Sequence, residues 1–244
     1  MEYDKFNKTQ KINSAFDKLI ADTKLNNLHG IRRDSSKCGI YKRWIYKKVD
    51  YNKMCDYMQK INYSIQDLNS TIDNLKKFDR RNIVYIISLV DWIREAFNAI
   101  IGVINSKVIS NFRFLKQEEL KRHSEYFRAI RSFVVAHPLN TTSHKEYGLD
   151  GNFICVDIRE DIGLFSLVKM PDKYVLTIDG LKKENCSNMD FYLYCYSDKD
   201  DNMSHFKRVG CRYSDIYETA KLYIEKLYAL DNYLTKNARK KDYE

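Results

Sequence analysis

Apolar residues recur along most of this chain at alternating steps of three and four, the spacing of one face of an α-helix. Over 51–77 the stripe is Met54, Met58, Ile61, Ile65, Leu68, Ile72 and Leu75. Over 80–107 it is Ile83, Ile86, Val90, Ile93, Phe97, Ile100 and Ile104, with Asp79 placed to cap the start. Ile87, Leu89, Ile101 and Val103 widen that face, so this helix reads as the most buried. Asp91, Arg94, Glu95 and Asn98 interrupt it; Glu95 and Asn98, one turn apart, read as an exposed stripe before a polar network facing a functional cleft. A third helix is predicted over 116–137, with Leu120, His123, Phe127, Ile130, Val134 and His137 on one face. Glu118 and Glu119 suit the positive end of its dipole, and Pro138 ends it by excluding the α region from its predecessor. The last helix, 213–236, carries Ile216, Ala220, Tyr223, Leu227, Leu230 and Leu234. Ser214 or Asp215 is its expected cap, and Asp215 with Glu218 has capping-box spacing.

Between the third and fourth helices the period changes from helical to alternating. Short β-type runs are predicted at 153–158, 164–170, 174–178, 191–196 and 206–211, with a turn at Pro171. Tyr192, Tyr194 and Tyr196 share one strand face, which reads as sheet packing before base stacking. Residues 1–50 read as an N-terminal helical extension. Ile12, Phe16 and Ile20 mark a helix near 8–23, 29–37 is a loop, and Trp44–Tyr46 starts another short element. The expected organisation is thus an extension over 1–50 and a main domain over 51–244. The fold class is mainly α, a four-helix bundle with a small antiparallel β-sheet inserted at about 152–211 between the third and fourth core helices.

Composition narrows this only slightly. With 2 Pro and 8 Gly in 244 residues, long helices are favoured over a turn-rich β fold. An apolar share of 44% is enough for a sizeable core. Lys and Arg exceed Asp and Glu by 42 to 33, a formal net charge of +9, compatible with nucleic acid or another anionic partner. The same Lys-rich, Tyr-rich composition also follows from an AT-rich genome, so charge alone names no partner. The basic tail 236–244 reads as a solvated end. The 6 cysteines show no CxxC spacing and no zinc pattern, so they read as reduced core residues and no metal or cofactor is expected. The polar start and the lack of a long apolar run predict a cytoplasmic protein without a membrane span. No Gly-rich loop or carboxylate cluster points to an ATP-using or metal-using enzyme.

One stretch, 127–142, FRAIRSFVVAHPLNTT, concentrates candidate chemistry. Arg131 is followed by the polar Ser132, and His137 comes six residues after the Arg, at the helix end. Six residues rise roughly 9 Å, a gap that a bent arginine can span. At a helix C-terminus the unpaired carbonyls and the negative dipole favour an imidazolium, which suits acid/base work. The plain alternative is a histidine that caps its own helix. Arg128, one turn before Ser132, reads as a solvated surface residue or a phosphate contact. His144 is close enough in sequence to join the group, and His123 reads as a packing residue or a solvent-facing one.

The pattern Arg-(polar)-x(4–6)-His on a late helix of a helical bundle resembles the HEPN superfamily. The resemblance covers the helices from residue 51 onward, not the first 50 residues or the sheet. It implies a metal-independent endoribonuclease of a bacterial defence, abortive-infection or toxin–antitoxin type. Arg131 would hold the scissile phosphate, and His137 would serve as general acid/base on the 2′-hydroxyl or the leaving oxygen. Ser132 would orient the arginine, with Arg128 and His144 supporting. It further implies a homodimer with a composite site, RNA as substrate and an antitoxin protein as a partner. Some members carry a tyrosine two residues after the histidine, modified by a partner enzyme; here Leu139 stands there, so that control is not expected. Other members only bind or scaffold, which leaves a non-catalytic module for RNA, nucleotide or protein as the second reading.

Overall fold

The computed structural model describes residues 48–73, 79–104, 117–136, 141–144, 149–161, 171–196 and 206–237. The helices expected in 1–47, the run 164–170 with its turn, and the tail beyond 237 lie outside them. Four helices are described: α1 (Lys48–Asp73), α2 (Arg80–Val103), α3 (Gln117–Val134) and α4 (Tyr213–Asn237). Six strands follow α3 and precede α4: β1 (Thr141–His144), β2 (Leu149–Asp157), β3 (Asp172–Thr177), β4 (Gly180–Lys183), β5 (Phe191–Tyr196) and β6 (Phe206–Cys211). None of the helices among the described residues is long and apolar enough to cross a membrane.

The chain divides into two compact units. One holds the sheet, nearly all of α3, the turns of α2 up to Ser88 and those of α4 up to Thr219. The other holds α1 with the later turns of α2 and α4. This overturns the expected four-helix bundle with a small antiparallel insert. The helix with the Arg motif belongs with the sheet. It is tied there by Arg122 to Asp179 on the β3–β4 turn at 3.0 Å, and by the Phe133 ring, 6.4 Å from that of His144 on β1. An apolar stripe at helical spacing marks a buried face without saying whether a helix or a sheet covers it, and the bundle reading assumed helices throughout.

The sheet is also not the expected one. Its order is β1-β2-β5-β6-β3-β4, and it is mixed. β3 runs parallel to β6, pairing Tyr174 with Val209, while the other neighbours are antiparallel. The five strands β2 to β4 in that order form its body, and the short β1 extends the β2 edge. Strands β1 and β4 were not foreseen. Strand β4 arises because Ile178 and Asp179 make a tight turn that pairs Thr177 with Gly180, whose φ of 121° suits glycine. The Thr177 hydroxyl accepts the Asp179 N–H at 3.3 Å across that turn.

Strand β5 is buried on both faces from Phe191 to Cys195, as a central strand should be. Tyr192 and Tyr194 pack with Val175, Cys186 and Met189, while Tyr196 at the strand end is exposed. Above this layer lies a buried arginine. Arg208 donates to the Glu160 carbonyl at 2.6 Å, to Glu160 Oε1 at 3.0 Å and to Cys186 Sγ at 3.3 Å. Tyr194 adds a hydroxyl shared between the carbonyls of Arg159 and Glu160. Together they fasten the segment after β2 onto the sheet. A Cβ on Gly210 would collide with Met189 Cγ and sit 2.9 Å from Cys186 Cβ, so β6 needs glycine there.

Capping residues differ in how local they are. Asp79 Oδ1 accepts the Asn82 N–H at 3.1 Å and caps α2 as its sequence indicates. The first N–H of α4, from Tyr213, is instead met by Asp190 Oδ2 at 2.9 Å, a residue 23 positions earlier. In the helical unit Met54, Met58, Ile61, Ile65 and Leu68 of α1 and Val90, Ile93, Phe97 and Ile100 of α2 are buried, and Phe97 meets Tyr223 edge-on at 5.2 Å. Of the polar residues that interrupt the stripe, Asp91 and Arg94 form a buried pair at 2.9 Å, while Glu95 and Asn98 are exposed as expected.

Candidate functional site

Helix α3 delivers the Arg of the motif at its very end. Its buried face is His123, Tyr126, Phe127, Ala129, Ile130, Phe133 and Val134, which fixes the rotation of the helix. Arg128 is then exposed, and Arg131 and Ser132 are half-buried at its margin. Arg131 is the basic residue of the last turn, where a cation is favoured by the helix dipole. Its carbonyl accepts two N–H groups, from Val135 at 2.9 Å and from Ala136 at 3.3 Å. The second of these is a five-residue step, which widens and terminates the helix. The next residue, His137, lies outside the described residues.

His144 is described and is buried on β1, its ring against Phe133 on the core side of α3. Arg131 is two residues from Phe133, about 200° around the helix. The structure therefore puts His144 on the packed side of α3 and Arg131 at its half-open margin. His123 is buried as well. Its Nδ1 lies 3.0 Å from Thr219 Oγ1, and that hydroxyl is also within 2.9 Å of the Asp215 carbonyl. Burial pushes its pKa below the ordinary histidine value, which favours the neutral imidazole. His123 thus links α3 to α4 and reads as structural.

A concave feature elsewhere on the sheet unit was not found from the sequence. A groove of about 660 Å³ lies between the start of α2 and β2. Arg80, Arg81, Val84 and Tyr85 form one side, and residues 154–156 of β2 the other. Three consecutive strand residues can line it because β2 is bulged there. Phe153 pairs with Cys195 and Cys155 with Tyr194, which leaves Ile154 as the extra residue. Burial and then Asp157 push the Cys155 thiol pKa above the ordinary range, which disfavours its thiolate.

Beside the groove, Asp157 holds two arginines unequally. Arg159 takes both carboxylate oxygens, at 3.2 and 3.0 Å, while Arg80 approaches only to 3.7 Å through Nε. Burial alone would raise the pKa of Asp157, but the Arg159 hydrogen bonds outweigh it and hold the carboxyl below the usual range. Arg81 is fastened to Asp79 Oδ2 through Nε at 2.9 Å and Nη2 at 2.7 Å. The signal available in sequence was the Arg80–Arg81 pair with Tyr85 one turn on, next to a helix cap. A reading focused on the apolar stripe of α2 passes over it. Among the described residues no group of three or more His, Cys, Asp or Glu side chains is placed to hold a metal ion. Comparison of the chain with family models, with curated proteins and with solved structures finds no match.

Proposed function

We propose that this chain is a metal-independent endoribonuclease of the HEPN type, acting in bacterial defence or as the toxin of a toxin–antitoxin pair. The observation that carries the reading is the end of α3. The helix stops within a turn of Arg131, which is half-buried at its margin, and the chain then continues directly into His137 and Pro138. The reading rests on this motif and its helix end, since the architecture is not a four-helix bundle with an inserted sheet.

The chemistry follows from the residue types. His137 takes the proton of a ribose 2′-hydroxyl as its oxygen bonds to phosphorus. The P–O5′ bond breaks, and an imidazolium returns a proton to the leaving oxygen. Arg131 offers a planar fork to the phosphate oxygens as charge builds on them. The products are a 2′,3′-cyclic phosphate and a 5′-hydroxyl, and no step requires a metal. One Arg–His pair per chain suits a two-fold dimer in which both pairs face one phosphate. Incubation with total RNA in EDTA, with fragment ends read for cyclic phosphate, tests the reading. Wild type should cleave, and His137→Ala and Arg131→Lys should not, since a lysine cannot reproduce the two-pronged contact. Wild type and His137→Ala behaving alike on every RNA would leave a binding module in place of an enzyme.

A further inference from the structure

We infer that the groove between the start of α2 and the bulge of β2 binds a segment of single-stranded RNA, with a base stacked on Tyr85 and the flanking phosphates on Arg80 and Arg81. Tyr85 is a large aromatic that remains 41% exposed, on the wall of a concavity rather than on a convex surface. The arginine side chains are more open still, 60% for Arg80 and 92% for Arg81. Around them three guanidinium groups (Arg80, Arg81, Arg159) stand against two carboxylates (Asp79, Asp157).

The carboxylates position the cations without consuming them. Asp157 is occupied at both oxygens by Arg159, so Arg80 is left with one long contact. Asp79 grips Arg81 through Nε and Nη2, and Nη1 takes no part in that pair. A tethered arginine loses less side-chain freedom when it meets a phosphate. The remaining lining is Val84, Ile154, Cys155 and Val156 with one polar residue, Ser88, whose hydroxyl donates to the Val84 carbonyl at 2.8 Å. A flat aromatic, a mostly apolar lining and neighbouring cations match a stacked base with its adjacent phosphates. An acidic peptide would use the cations and leave the ring and lining unmatched. The formal net charge of +9 favours approach of a polyanion. The choice of RNA over DNA rests on the cleavage reading; the groove itself does not.

The test is binding of a fluorescein-labelled 12-nucleotide RNA, read by anisotropy, with full-length protein carrying His137→Ala so that nothing is cut. Tyr85→Ala should weaken binding about tenfold. The double variant Arg80→Gln/Arg81→Gln should lower the slope of log Kd against log salt by about 1.4, two phosphates at about 0.7 each. Lys182→Gln, an exposed change on β4, should leave binding as it was. If the double variant melts early, Tyr85→Ala alone decides, because its ring is exposed. Tyr85→Ala binding like the parent would overturn the inference, and so would a poly-glutamate peptide competing as well as RNA. Cleavage by wild type with unchanged binding in the groove variants would sink the groove alone. Groove-dependent binding without cleavage would sink the enzyme alone.

Discussion

Asp215 sits in the first turn of α4, where the dipole welcomes an anion, yet the structure makes its charge a burden. Oδ2 is buried with no hydrogen-bond partner among the described residues. Burial, assisted by Asp190, Asp179 and Glu218 and opposed by Arg212, pushes its pKa from 3.8 up to about 6. A group whose folded pKa is raised stabilises the fold when protonated. That contribution is complete below the unfolded value near 3.9 and is lost as pH rises through about 6. Roughly 2 pH units at about 1.4 kcal/mol each set a ceiling of about 3 kcal/mol. Asp215 is only half-buried, so solvent screening reduces this to about 1–2 kcal/mol. Asp215→Asn removes the charge and nearly keeps the shape. Urea unfolding should show the variant more stable than wild type by about 1–2 kcal/mol near pH 8, with the gap closing toward about pH 4.5. A variant less stable than wild type near pH 8 would refute this. It would mean that the carboxylate caps α4 after all, as the Asp215–Glu218 spacing suggests in sequence.

Two further substitutions probe the sheet. Gly210→Ala should cost about 1–3 kcal/mol, because the new methyl meets Met189 and Cys186; a thermal melt matching wild type would show that those side chains can yield. Arg208→Met should cost about 2–3 kcal/mol by leaving Glu160 without its buried guanidinium partner, less than a fully buried pair because Glu160 is partly exposed. Denaturant unfolding checks the second, and a loss under about 0.5 kcal/mol would mean that Arg208 does not fasten the segment after β2.

What could be read from sequence was whatever repeats locally. The stripes of α1, α2 and α4 and the alternation in β5 and β6 announce themselves within one element. What each stripe packs against is a matter of partners far along the chain, and there the reading failed. Nothing near 172 or 207 announces that β3 and β6 run side by side in parallel. Asp190 reaches α4 from 23 residues away, where a local rule looks only to Ser214 or Asp215. The candidate site divides in the same way. Arg131 near a helix end was legible because Pro138 is a stop signal in the sequence, although α3 closes at Val134, before the expected His137. The Arg80–Arg81–Tyr85 wall was not, because a groove exists only once a bulged strand lies opposite it.

The central claim concerns Arg131 and His137, and one measurement reaches it most directly. Wild type, His137→Ala and Arg131→Lys are each incubated with total RNA in EDTA, and new ends are sequenced for 2′,3′-cyclic phosphate. Cyclic-phosphate ends from wild type alone, with all three proteins melting alike, are the expected result. Equal ends from wild type and His137→Ala, or none from any of the three, would contradict it.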